Sequence, residues 1–253
     1  MFRMKASSYR IGLVVLVTVA SVVGVLLLDP IPQDAPYHAF ADTRVMFGIR
    51  NFSNVATNLP FLLVGAWGLM SARRLVAVTL ATHYRVYCSA VVLIGFGSGW
   101  YHFAPSNASL VWDRVPLTVA FMSVFSALLA DRISWLLGRA LLWPLVVAGL
   151  ASIAWWIRGE ASGHGDLRAY GLVQFLPMLL IPLILVLWRD GSLAGRPLWL
   201  AFGAYTLAKL VEHYDAAIYA ATGFSGHSLK HLVAAAAAWW IARAFQRSPA
   251  SAL

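Results

Sequence analysis

Apolar residues in this chain fall into long unbroken runs, and most of the charges collect in the short stretches between them. Eight runs can be marked: Ile11 to Leu28, Val55 to Met70, Val86 to Phe103, Val115 to Ala130, Ala140 to Ile157, Gly171 to Trp188, Leu198 to Tyr219, and Ser228 to Phe245. About 20 mainly apolar residues in an α-helix cross a hydrocarbon core about 30 Å thick, and the runs have that scale. None shows the ten-residue alternation of a membrane strand. Because lipid offers the backbone no hydrogen-bond partners, helices are the predicted elements. The pattern predicts an all-α, polytopic membrane bundle of eight helices in a single domain covering residues 1 to 253. Pro60, Pro177 and Pro182 fall inside runs and are expected to kink their helices.

The first run follows Arg3, Lys5 and Arg10, as the apolar part of a signal peptide would. It is long for such a segment and ends in Leu28-Asp29-Pro30 without a small-x-small cleavage site, so an uncleaved anchor helix is expected. Composition agrees with a membrane chain: 60% of residues are hydrophobic and 11% are charged. A soluble domain carries roughly twice that charged fraction. A net charge of +9 raises the question of nucleic acid. The Lys and Arg residues, however, sit in short loops between runs rather than on one face, so no nucleic-acid partner is expected. The single Cys88 excludes an internal disulfide and a cysteine-based metal site.

Those loop charges orient the bundle. With the N-terminus in the cytoplasm, alternate loops carry Arg73, Arg74 and Arg85, then Arg132 and Arg139, then Arg189 and Arg196, then Arg243 and Arg247. The opposite loops are nearly balanced in charge, so both termini are expected inside.

Ionisable residues in membrane helices are costly and mark candidate sites. Gly95-Phe96-Gly97-Ser98-Gly99-Trp100-Tyr101-His102 closes the third run and puts Ser98 and His102 on one helix face. Its glycines would admit a neighbouring helix. Asp113, in Trp112-Asp113-Arg114-Val115-Pro116, reads as the N-terminal signature of the fourth helix, with Pro in the first turn. Gly226-His227-Ser228-Leu229-Lys230-His231 opens the last run with two His at i, i+4, a spacing that can chelate one metal ion. Each motif alone also reads blandly, as a packing histidine, a cap with an ion pair to Arg114, or a polar helix contact. The expected topology nevertheless brings His102, Asp113, His227 and His231 to one side of the membrane. Three imidazoles with an open fourth position are a catalytic zinc arrangement, beside which Asp113 could act as base and Ser98 as a hydrogen-bond donor to an oxyanion. Lys209, Glu212, His213 and Asp215 form a further polar stripe, either an ion-pair network or a carboxylate support for a metal-bound His.

Ser-x-x-x-His, an Asp eleven residues later and a late His-x-x-x-His together resemble the alkaline ceramidases. These belong to a larger group of seven-helix membrane hydrolases and receptors that includes the adiponectin and progestin receptors. The segment Asn51-Phe52-Ser53-Asn54-Val55-Ala56-Thr57-Asn58 is similar to the first core helix of that family. The resemblance runs from about Asp42 to Phe245, leaving the N-terminal helix as an addition to a seven-helix core. It implies zinc on His102, His227 and His231, with Asp113 and Ser98 as catalytic residues. It also implies hydrolysis of a long-chain lipid amide such as ceramide; with the topology expected above, the substrate would enter from the bilayer and be cleaved near the non-cytoplasmic side.

The animal enzymes carry an acidic calcium-binding stretch before the first core helix. Here Tyr37-His38-Ala39-Phe40-Ala41-Asp42 stands in that region, and calcium, which needs six to eight oxygen ligands, is not expected. Arg114 stands where the ceramidases usually have Glu, a departure that bears on substrate identity more than on the metal. Rival readings are a receptor of the same bundle with a structural metal, and a transporter or haem protein. No internal symmetry supports a transporter.

Overall fold

In the computed structural model of the chain, residues 2–75 and 78–246 are described, with side chains over 8–72 and 79–246. Helices dominate: α1 Phe2–Leu26, α2 Phe52–Ala56, α3 Leu59–Leu75, α4 Ala81–Phe103, α5 Asn107–Arg132, α6 Trp135–Ala161, α7 Arg168–Leu187, α8 Gly195–His213, α9 Asp215–Thr222 and α10 Gly226–Ala244. No strand occurs among the described residues, and the chain is an all-α membrane bundle. Among the described residues, five stretches are long and apolar enough to cross a bilayer, within α1, α2–α3, α5, α6 and α7. The other long helices, α4, α8 and α10, have 23, 19 and 19 residues. They carry His83, Lys209, Glu212 and the paired His of α10, so polarity rather than length sets them apart.

Short connections fold α4, α5 and α6 into antiparallel neighbours. Ser106 caps α5 by accepting from the Ser109 amide, and Ser134 caps α6 by accepting from the Leu137 amide. Asp113 is therefore no cap: α5 starts earlier, at Asn107, because Ser106 is the better-placed acceptor, and Pro116 lies inside the helix. Pro177 and Pro182 lie inside α7, as expected, whereas Pro60 is the second residue of α3, where its missing amide costs no helical bond.

Two expected helices are broken. The run from Val55 divides at Thr57 and Asn58 between α2 and α3, and the run from Leu198 divides at Tyr214 between α8 and α9. Arg132 is not a free loop charge; it is buried, donates to the Arg189 and Leu193 carbonyls and pairs with Asp131. Arg247 and the side chains of Arg3, Lys5, Arg73 and Arg74 lie outside the described residues.

Backbone approach sets the helix spacing where it matters. A Cβ on Gly97 would run into the Trp112 carbonyl, so α4 and α5 meet main chain to main chain one residue before Asp113. A Cβ on Gly95 would meet Leu62 of α3, and on Gly226 the Val211 carbonyl of α8. Gly99 faces open space, so two of the three glycines in the α4 motif serve close packing. α1 packs chiefly against α7 and is mostly exposed, as a helix facing lipid would be.

Candidate metal centre

The C-terminal end of α4 and the first two turns of α10 bring His102, His227 and His231 together. All three are buried, and one ligand nitrogen from each lies within 4.8 Å of the others. The group can hold one metal ion.

The ring nitrogens that face the centre can be assigned from their partners. Lys230 Nζ can only donate, so at 2.9 Å it makes His227 Nε2 the acceptor and leaves the ring proton on Nδ1, 4.0 Å from Glu212 Oε1. His231 Nδ1 is held by the Thr57 hydroxyl at 3.0 Å, and its Nε2, also buried, has no partner among the described residues. His102 Nε2 faces His227 Nε2 at 3.3 Å, and its Nδ1 is unpartnered. Buried polar nitrogens without partners are rare in native proteins. A cation held by the three rings would satisfy His231 Nε2.

The short helix α2 buttresses this centre. Asn51 adopts a left-handed conformation (φ +51°), which Asn tolerates, and its amide donates to the His102 carbonyl at 2.8 Å. Asn54 accepts from the Ser228 hydroxyl at 2.6 Å, and Thr57 holds His231. The break after α2 thus places three polar side chains against the two histidine-bearing helices. Ser225 caps α10 by accepting from the His227 and Ser228 amides. Asp215 accepts from the Ser225 hydroxyl, the His227 amide and the Ala41 amide, locking α9, α10 and the loop before α2 together. That loop lays the Phe40 ring on His102 and His227, at centroid distances of 4.7 and 4.8 Å. Farther along it the Arg44 side chain hydrogen-bonds Asp42 and holds its carboxyl down at about 2.

Ser98, Asp113 and His231 line a cavity of about 720 Å³. Asp113 and the Ser98 hydroxyl are hydrogen-bond partners. Phe61, Ile94 and Leu117 line both this cavity and a smaller apolar one of about 120 Å³ deeper in the bundle. One wall comes from α1, through Ser21, Gly24 and Val25, and from Leu28 just after it.

All five residues singled out from sequence therefore reach one region. The polar stripe divides. Glu212 pairs with Lys209 and Lys230 on the cavity wall, Asp215 holds backbone rather than an imidazole, and His213 is exposed against Tyr214. Thr57, Lys230 and Phe40 were not anticipated. Thr57 had a signal in the polar 51–58 segment; Lys230 and Phe40 had none, since their roles depend on which way distant elements face. An ion drawn to the centre competes with Lys230 for His227 Nε2, and Glu212, 2.8 Å from the ammonium, offers the lysine its alternative. Comparison with protein-family models and with curated proteins gives no match.

Proposed function

We propose that the chain is a zinc-dependent hydrolase of lipid amides, resembling the alkaline ceramidases in the spacing of its site residues. The observation that carries this reading is a group of three buried imidazoles, one of which, His231, lines a cavity together with Asp113 and Ser98, while Phe61, Ile94 and Leu117 are shared between that cavity and an apolar slot. Two imidazoles on one tetrahedral zinc, each about 2.0–2.1 Å from it, have nitrogens about 3.3 Å apart, and the His102 and His227 pair is spaced at 3.3 Å. His102, His227 and His231 would hold the ion, and zinc bound there supplies a Lewis acid for a carbonyl and lowers the pKa of water.

The chain's own groups divide the remaining work. The Asp113 carboxylate takes the proton of the attacking water and delivers it to the leaving amine nitrogen. The Ser98 hydroxyl donates to the developing oxyanion. Phe40 covers the histidines on their outer side and limits water there. The acyl chain lies along Phe61, Ile94 and Leu117. By the loop charges, the site belongs to the non-cytoplasmic side with both termini inside.

The test measures zinc content and fatty-acid release from ceramides and other N-acyl lipids on one detergent-purified sample. One zinc per chain, turnover lost with the metal in His231→Ala, and turnover reduced about 10²- to 10⁴-fold with zinc retained in Asp113→Asn are expected. Zinc without release from any lipid would leave a binding or receptor role. No zinc even after reconstitution would overturn the site.

A further inference from the structure

The cavity beside the histidines is richer in fixed positive charge than hydrolysis of a neutral amide requires. Among its lining residues, Lys209 and Lys230 offset Glu212 and Asp113, and Arg168 is engaged by Asp166 at 2.9 Å. Arg114 remains. It is only 4% exposed, yet no carboxylate pairs with it among the described ion pairs. Its guanidinium carbon lies 4.3 Å from the centre of the Trp156 ring and 4.7 Å from that of Tyr170, and its Nη2 donates to Gln33 Oε1 at 2.7 Å. These contacts fix the plane of the guanidinium without neutralising it. The Nη1 nitrogen, also buried, has no hydrogen-bond partner among the described residues.

A buried cation with an unused donor is costly to maintain unless something completes it. Aromatic faces attract the charge but accept no conventional hydrogen bond. An anion in the cavity would do both. Such a guanidinium, held between Trp156 and Tyr170 with the Tyr37 ring centre 5.6 Å away and lining the cavity, is preorganised for a carboxylate.

We infer that Arg114 is the head-group receptor of this site and that the lipid it selects carries a carboxylate on the amine side of the amide, as an N-acyl amino acid does. The inference rests on the amide-hydrolase reading for what happens to the lipid, but the binding preference stands independently of it. Arg114 adjoins Asp113, so a carboxylate held there keeps the neighbouring amide bond within the part of the cavity that Asp113 and Ser98 line. The acyl chain then extends the opposite way, towards the apolar slot. Arg114 is a specificity-determining residue here.

A matched pair of probes tests this: N-hexadecanoylglycine and its uncharged isostere N-hexadecanoylglycinamide. Binding is read from tryptophan fluorescence on the full chain carrying His231→Ala, which removes both turnover and any carboxylate–zinc contact. The acid is expected to bind about 10- to 100-fold tighter than the amide, the range of a hydrogen bond to a charged group. Arg114→Gln in the same background should bring the two probes to equal affinity, and Arg114→Lys should restore part of the preference. Equal binding of the probes before Arg114 is changed, or a preference that survives Arg114→Gln, would overturn the inference. So would a variant that weakens both probes alike, because that marks a structural arginine. The metal-replete parent chain is then assayed for release of hexadecanoate. Charge-selective binding without release would overturn the hydrolase reading and leave the receptor role of Arg114 standing.

Discussion

α4 carries a buried histidine near each end, and the two surroundings differ in kind. His83 is 2% exposed and His102 is 1% exposed, so burial does not distinguish them. They stand 19 residues apart, about 28 Å along a helix. His83 Nε2 meets the Ser126 hydroxyl at 3.1 Å, and that hydroxyl donates to the Gly138 carbonyl at 2.7 Å. The chain of contacts ends there, in main chain. His102 meets two further imidazoles, an aromatic cover and an amide on its own carbonyl. Each histidine leaves its Nδ1 without a partner, so an unsatisfied nitrogen by itself says little about function. Convergence separates the two ends. One has a single imidazole tied into a helix contact, and the other has three that each bring one ligand nitrogen within 4.8 Å of the others.

The contrast breaks most sharply at the histidines themselves. His102→Ala is expected to abolish stoichiometric zinc and lower amide hydrolysis at least about a thousandfold. His83→Ala should leave zinc content unchanged and cost about 1–3 kcal/mol of stability. Metal analysis and thermal unfolding of both variants decide it, and equal zinc loss in both would erase the distinction.

Their hydroxyl partners sharpen it at smaller scale. Thr57→Val removes the group that holds the His231 ring, and zinc affinity should fall about 10- to 100-fold by competition with a chelator. Ser126→Ala, at the other end, should not change zinc affinity.

The smallest effect lies in the loop over the histidine end. Asp42 is held at about 2 against an ordinary 3.8, first by the Arg44 side-chain hydrogen bond. A depressed carboxyl contributes stability above its unfolded value that is lost as the pH falls through the folded one. Asp42→Asn is therefore expected to lower the melting temperature by about 2–4 °C at pH 6. The deficit should shrink below about pH 4 and be mostly gone by pH 2. A deficit undiminished at pH 2 would remove the Asp42–Arg44 pair as its cause.

The membrane bundle was legible because apolar run length depends on bilayer thickness and little else. The helix breaks at Thr57–Asn58 and Tyr214 were not, since the polar residues around them also suit a continuous helix with a polar face, and only tertiary contacts show why the chain turns. Asp113 was located but misassigned: an Asp three residues before a Pro looks like a helix start, and Ser106, the actual cap, lies seven residues upstream. The histidine grouping could be read from i, i+4 spacing and loop parity. The Lys230 contact could not, because a lysine at the third position after His227 points to lipid, water or the site according to helix rotation, which the spacing leaves open.

The wall that α1 contributes to the cavity has a consequence for the order in which the protein is made. Arg168 at the head of α7 reaches back 140 residues to the Leu28 carbonyl, and α7 is the principal neighbour of α1. At ribosomal rates of about 5–20 residues per second, on the order of ten seconds passes between synthesis of the two. α1 is thus waiting for a helix made well after it. During that interval the nascent site stands open on one flank, so the cavity is completed as a late step of biogenesis.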